Sequence, residues 1–123
     1  MSARPRKKLA VLACMDARLN PYELLGLEVG DAHIVRNAGG LVTDDALRSL
    51  SISQRLLGTE EIVVIMHEDC GMQGADEPGA FDDLEAELRR GVERLRSSGE
   101  LPARDRVRGV IFDPASGGVR EVA

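Results

Sequence analysis

Three short apolar runs restrict the folds open to this chain more than any other feature. They extend from Leu9 to Cys14, from Ala32 to Arg36 and from Glu61 to His67, and they are rich in valine and isoleucine without clean polar alternation. Continuous runs of this kind are typical of strands in a parallel sheet that is covered on both faces. The sequence therefore predicts three buried parallel strands.

The segment between the second and third runs predicts a capped amphipathic helix. Thr43 can serve as its N-cap, Asp44 and Asp45 place negative charge in the first turn, and Gly58 follows the end. Its apolar residues recur at helical intervals: Ala46, Leu47, Leu50, Ile52, Leu56 and Leu57. A helix at this place forms the crossover between two parallel strands.

The second half of the chain predicts one more helix and two more strands. The helix covers residues 80–98 and is weakened by Gly91, and its apolar face is formed by Phe81, Leu84, Leu88, Val92 and Leu95. A strand follows from Val107 to Asp113, and a short antiparallel partner from Val119 to Val122. The predicted fold class is α/β, with a small, mostly parallel sheet in the order 2-1-3-4, a short antiparallel edge strand and flanking α-helices.

Size and composition exclude several classes of function. The 123 residues suit a single domain over residues 1–123. The chain has no tryptophan, two phenylalanines, one tyrosine and a net charge of -5, so a nucleic-acid partner is not expected.

No run approaches the ~20 apolar residues that span a bilayer, and no signal-peptide pattern is present, so we expect a cytoplasmic protein without a membrane partner. Two cysteines in that compartment are not expected to form a structural disulfide.

Three potential metal ligands lie at the ends of the first and third strands. Cys14 ends the first strand, His67 ends the third, and Cys70 follows it in the motif HEDCGM. In the order 2-1-3-4 these strands are neighbours, so the three side chains converge. Two thiolates and an imidazole suit Zn²⁺ and leave its fourth position open, as in catalytic sites. The alternative is that both cysteines are small buried apolar residues and that His67 is a hydrogen-bonded strand terminus.

Asp16 and Arg18 follow Cys14 in the motif CMDAR. A carboxylate beside an open zinc site can accept a hydrogen bond from the metal-bound water, and a guanidinium can hold that carboxylate in place. Asp16 can equally move onto the metal as a fourth ligand, which would close the site until Arg18 draws it away. An ordinary ion pair near the surface is the alternative. Met15 and Ala17 are expected to pack on the other face of the strand.

The motif VRNAGG connects the second strand to the crossover helix. Gly39 and Gly40 suit a tight turn that needs positive φ. The alternative is that the loop forms a backbone wall close to the metal pocket, since it also follows the carboxyl end of a strand. His33, inside the second strand, has no metal-ligand partner at a useful spacing and is expected to be structural or exposed rather than a proton shuttle.

These motifs resemble those of the β-class carbonic anhydrases. CMDAR is similar to the family's C-x-D-x-R element, RNAGG to its Arg-Asn-Ala-Gly loop and HEDCGM to its H-x-x-C-G-M element, and the three occur in the family's order. The resemblance is close over residues 7–74 and looser over the last strands.

The resemblance implies a lyase that hydrates CO₂ reversibly to bicarbonate by attack of zinc-bound hydroxide. The implied site residues are Cys14, His67 and Cys70 as ligands of one Zn²⁺ per chain, Asp16 and Arg18 as the catalytic pair, and Gly71, Ala38 and Gly39 as positions near the substrate. The family forms dimers and multiples of them, so a homodimer or a higher even-numbered oligomer is implied.

Two other functions fit the same motifs. Zinc hydroxide attacks any linear electrophilic carbon, so hydrolysis of COS or CS₂ is one of them. The other is a zinc-binding homologue without catalysis and with a regulatory or binding role, because the segment from Gly71 to Pro78 is shorter than the family usually has.

Overall fold

The computed structural model describes residues 1–123, which form one five-stranded sheet and three helices. The elements are β1 (Leu9–Cys14), α1 (Pro21–Leu25), β2 (Ala32–Asn37), α2 (Asp44–Arg55), β3 (Glu61–His67), α3 (Leu84–Ser97), β4 (Arg106–Phe112) and β5 (Val119–Glu121). The strands lie in the order β2-β1-β3-β4-β5, the first four parallel and β5 antiparallel to β4. The predicted α/β class and strand order are confirmed.

The two central strands carry the core and bring their carboxyl ends to the same edge. β1 is buried over its whole length, and β3 is buried from Ile62 to His67. Ala13 of β1 lies opposite Ile65 of β3, and Cys14 lies opposite Asn37 of β2. Side chains that follow these three strand ends are therefore neighbours in space.

Helix α3 packs closely on β4 at a glycine. A Cβ atom on Gly109 would lie 2.9 Å from the side chains of both Leu88 and Val92, so only glycine lets the helix approach the strand this closely. The helix begins at Leu84 because the Asp83 carboxylate accepts a hydrogen bond from the backbone N–H of Ala86 at 3.1 Å.

The structure corrects three details of the predicted elements. Phe81 does not belong to α3, because its backbone is bonded to Met72 and Gly74 in the preceding loop. Leu56 does not belong to the buried face of α2, because the helix ends at Arg55 and the Leu56 residue is 60% exposed. The short helix α1 was not predicted.

Helix α1 begins and ends with signals that are present in the sequence. The Asn20 side chain accepts hydrogen bonds from the N–H groups of Tyr22 and Glu23, Pro21 occupies the first turn, and Gly26 follows with φ 66°. The Asn20-Pro21 pair is therefore the start of a helix. None of the three helices is long and apolar enough to cross a membrane.

Candidate metal centre

Cys14, His67 and Cys70 form one cluster at the carboxyl edge of β1 and β3. Their Sγ, ring nitrogen and Sγ atoms all lie within 4.8 Å of one another. The three residues are only 4%, 1% and 7% exposed, and neither cysteine is in a disulfide. The structure thus brings together the three residues that the sequence predicts, and this donor set can hold a metal ion.

The hydrogen bonds of His67 leave one ring nitrogen free for a metal. Nδ1 lies 2.7 Å from the backbone oxygen of Glu68, and because a carbonyl only accepts, Nδ1 carries the proton. Nε2 is buried and has no hydrogen-bond partner. A buried lone pair with no donor is costly, and an imidazole held through its other nitrogen by a carbonyl is the usual arrangement of a metal-bound histidine.

The two thiols and the imidazole perturb one another's pKa values. Burial raises the pKa of Cys14, but the His67 imidazole and the N–H groups of Asp16 and Gly39 lower it by more, to about 7. The Cys14 thiolate in turn raises the pKa of His67. Burial, and then the neighbouring charge of Cys14, raise the pKa of Cys70. One thiol of the pair is thus close to ionisation at neutral pH without a metal, while the other keeps its proton.

Asp16 and Arg18 form a two-point ion pair directly beside the cluster. Arg18 Nε donates to Asp16 Oδ1 at 3.0 Å and Nη2 to Oδ2 at 2.8 Å, and the backbone N–H of Arg18 also donates to Oδ1 at 2.8 Å. These donors hold the pKa of Asp16 well below its usual range, the guanidinium contributing most. Asp16 Oδ2 lies 3.6 Å from His67 Nε2, so the carboxylate borders the ligand atoms.

The residues between Cys14 and Arg18 do not continue the strand. β1 ends at Cys14, and the following turn leaves Met15 65% exposed and Ala17 exposed as well. The expectation that these two side chains pack on a second face is wrong, because alternation applies only while the backbone is extended. Asp16 and Arg18 reach the same edge through the turn instead.

The loop after β2 is both a tight turn and a wall of the cluster. Asn37 closes it by donating to the oxygen of Leu41 at 2.8 Å and accepting from its N–H at 2.9 Å. Gly40 has φ 65°, and a Cβ atom there would lie 2.7 Å from the oxygen of Ile65 and 2.9 Å from the nitrogen of Cys14. The two interpretations of VRNAGG are therefore compatible.

The predicted substrate positions lie in the loop after β2 and directly after Cys70. Ala38 lines a groove of about 280 Å³ together with Leu41 and Met72, and the N–H of Gly39 is directed at Cys14. Gly71 follows Cys70 and is exposed. Their contact with a substrate stays a prediction.

His33 is structural, as expected. Its Nδ1 is 2.7 Å from Ser53 Oγ and its Nε2 is 2.9 Å from the backbone oxygen of Ala3. Ser53 is bonded in turn to Thr59 Oγ1 at 2.7 Å. Both ring nitrogens are therefore used in packing α2 and the N-terminal residues against β2.

Two further residues contact the site and were not singled out in the sequence. Arg36 donates to the backbone oxygens of Cys14, Asp16 and Leu19 at 2.7 to 3.0 Å. Asp69 contacts Arg18 from the turn between His67 and Cys70. Both lie inside quoted motifs, but their partners are far along the chain and are specified only by the strand order.

Comparison with known proteins gives the same family for the sequence and for the fold. The profile of the family described as "Carbonic anhydrase" matches residues 9–117. Beta-carbonic anhydrase 1 of Mycobacterium tuberculosis is 41% identical over 136 residues, which cover 96% of this chain and 83% of that protein. The crystal structure of carbonic anhydrase from Streptococcus mutans superposes with a TM-score of 0.91 at 41% identity, covering 98% of this chain and 84% of that chain.

A second group of relatives carries another activity in its name. The carbon disulfide hydrolase of Saccharolobus solfataricus is 56% identical over 66 residues, which cover 54% of this chain and 32% of that protein. The identity is therefore higher than in the mycobacterial comparison but spans a smaller part of both chains.

Proposed function

The chain belongs to the β-carbonic anhydrase family of enzymes, and on that premise we propose that it catalyses the zinc-dependent, reversible hydration of carbon dioxide to bicarbonate. The observation that carries the proposal is the buried, unpartnered Nε2 of His67. It lies 3.6 Å from the carboxylate of Asp16, and the His67 ring and the two thiols have ligand atoms within 4.8 Å of one another.

The donor atoms fit Zn²⁺. Two sulfur donors and one imidazole nitrogen are the set that tetrahedral zinc accepts with one position left open. We propose Cys14, His67 and Cys70 as the ligands of one ion per chain. Bound there, zinc supplies Lewis acidity, which makes water a competent nucleophile near neutral pH.

The role that we propose for Asp16 follows from its ionisation. Its strongly lowered pKa means that the carboxylate stays charged throughout the neutral range, so it accepts hydrogen bonds and is a poor base for removing a proton. Asp16 Oδ2 therefore orients an attacking water by accepting its O–H, and Arg18 fixes the direction of that oxygen. A rotation of Asp16 away from Arg18 would bring the carboxylate to the fourth metal position and close the site.

Hydrolysis of COS or CS₂ is the second candidate function. The 56% identity to a carbon disulfide hydrolase favours it. The reaction would use the same metal ligands and the same ion pair, since each substrate is a linear molecule with an electrophilic carbon. A zinc-binding homologue without catalysis is the third candidate, and the intact pair of Asp16 and Arg18 argues against it.

One experiment separates these candidates. Purified protein is analysed for zinc and then mixed with CO₂ in a stopped-flow instrument from pH 6.5 to 9, with COS as a competing substrate. We expect about one zinc per chain and CO₂ hydration; zinc with COS hydrolysis alone supports the second candidate, and zinc with neither reaction the third. Cys70→Ala should lose the metal, whereas Asp16→Ala should keep it and turn over more slowly.

The proposed function also includes an oligomeric state and a cellular compartment. We propose that residues 1–123 act as one zinc domain in the cytoplasm, where a reducing environment keeps both cysteines free as ligands. A homodimer, or a higher even-numbered oligomer, is supported by the edge strand β2, whose outer hydrogen-bonding side has no strand partner and which carries the half-buried Ile34 and Val35. The mass of the assembly, measured by light scattering during size-exclusion chromatography, tests this oligomeric state.

A further inference from the structure

We propose that Asp69 is a positioning residue that anchors Arg18 and thereby keeps the Asp16 carboxylate paired with Arg18 and out of the metal cluster. The inference rests on the proposed function, because it assigns to Asp69 control over the carboxylate beside the reacting atoms. Neither the sequence motifs nor the ligand geometry gives this residue a role.

The guanidinium of Arg18 is held between two acidic residues from different elements. One edge faces Asp16 in the turn after β1. On the other side, Nη1 donates to Asp69 Oδ2 at 3.2 Å and Nη2 donates to the backbone oxygen of Asp69 at 3.1 Å. Arg18 thus connects the turn after Cys14 to the turn between His67 and Cys70.

The backbone of Asp69 is in the left-handed conformation, which lets this residue accept both hydrogen bonds from Arg18. Its φ is +57°, and Lys8 is the only other residue besides glycines with positive φ. Aspartate visits this left-handed region at some cost, and such conformations cluster at functional sites. Here the conformation directs both the carbonyl and the carboxylate of one residue at Arg18.

The contact limits where Asp16 can go. Arg18 is 48% exposed and would otherwise be free to follow its partner or to turn into solvent. With Nη1 fixed by Asp69, the guanidinium stays in place and Asp16 has to break its two-point pair to approach His67 Nε2. Asp69 therefore favours the arrangement in which Asp16 is available to orient water.

The test compares Asp69, whose side chain is 86% exposed, with Asp44, whose side chain is 98% exposed and also forms a long-range ion pair. Asp69→Gly removes the carboxylate and accepts positive φ, and Asp69→Asn keeps an oxygen acceptor without the charge. The control is Asp44→Asn, since Asp44 pairs with Arg94 across 50 residues, as Asp69 pairs with Arg18 across 51. Rotation of the Arg18 guanidinium is measured by NMR on arginine-labelled protein, metal-free and zinc-loaded, with Arg18→Lys identifying the signal.

In Asp69→Gly we expect the Arg18 guanidinium to rotate roughly 2- to 5-fold faster and kcat for CO₂ hydration to fall by roughly 2- to 5-fold. This is the range for losing one exposed ion pair. Zinc content should stay the same, Asp69→Asn should be intermediate, and Asp44→Asn should match the wild type. Unchanged rotation in Asp69→Gly, or faster rotation with unchanged kcat, overturns the inference. A wild-type protein that hydrates no CO₂ refutes the proposed function instead, and the NMR measurement then decides by itself whether Asp69 anchors Arg18.

Discussion

At the scale of single residues, the cluster is a set of titratable groups for which protons and a metal ion compete. The pKa of Cys14 is lowered to about 7, whereas those of His67 and Cys70 are raised. A metal binds the thiolates and the neutral imidazole, so each ligand that still carries a proton must release it first. The metal-free cluster holds more protons as the pH falls.

We therefore predict that zinc affinity falls as the pH is lowered and falls more steeply below about pH 7. Binding has to displace a proton from Cys70 and from any His67 imidazole that is still charged, and below about pH 7 Cys14 is protonated too, so more protons have to be released. Competition with a chromophoric chelator between pH 6 and 8 measures the slope. An affinity that does not change over this range would show that these groups are not the ligands.

The clustering of Cys14, His67 and Cys70 could be predicted from the sequence, whereas the contacts that Asp69 and Arg36 make beside the cluster could not. Cys14 and His67 end strands whose apolar runs are recognisable, and Cys70 is fixed by its short spacing from His67. Asp69 and Arg36 act on partners 51 and up to 22 residues away. Those contacts depend on the strand order and on turn conformations, neither of which leaves a periodic pattern in the sequence.

At the scale of elements, the segment between β1 and α1 was the hardest to predict from the sequence. The alternation in CMDAR predicts that Met15 and Ala17 pack on one face, yet the segment is a turn, and backbone oxygens from Cys14 to Leu19 accept hydrogen bonds from Arg36 on the neighbouring strand β2. The guanidinium makes four contacts with the oxygens of Cys14, Asp16 and Leu19. An edge strand thus fixes the segment that carries Cys14, Asp16 and Arg18.

We predict that Arg36→Lys weakens zinc binding by about 10-fold, in the range seen when groups that orient metal ligands are removed. An ammonium keeps the charge but cannot reach three carbonyls in the fixed fork of a guanidinium. Chelator competition measures the effect, with Arg108→Lys as the control because Arg108 pairs with Glu61 and Glu121 on the sheet surface. Equal losses in the two variants would mean that Arg36 has no special connection to the site.

At the scale of the whole molecule, the cluster joins the two strands at the centre of the sheet. Cys14 lies at the end of β1, while His67 and Cys70 lie at the end of β3, and these strands contribute many of the fully buried side chains. A metal held by all three binds the folded chain and not the unfolded one. Metal binding should therefore appear as folding stability of the entire molecule.

We predict that zinc raises the free energy of unfolding by about 4 kcal/mol when free zinc is about 1,000 times its dissociation constant. Chelation should reverse the gain, as measured by urea unfolding with and without zinc. The chain offers a matched pair of variants, since its two histidines differ in role. His67→Ala should lose the zinc-dependent gain in the free energy of unfolding. His33→Ala should keep that gain but should be less stable without zinc, because it breaks the bonds to Ser53 and Ala3. A full gain in His67→Ala would place the metal outside the cluster, and the same loss in both variants would mean that the gain reports general stability rather than ligation.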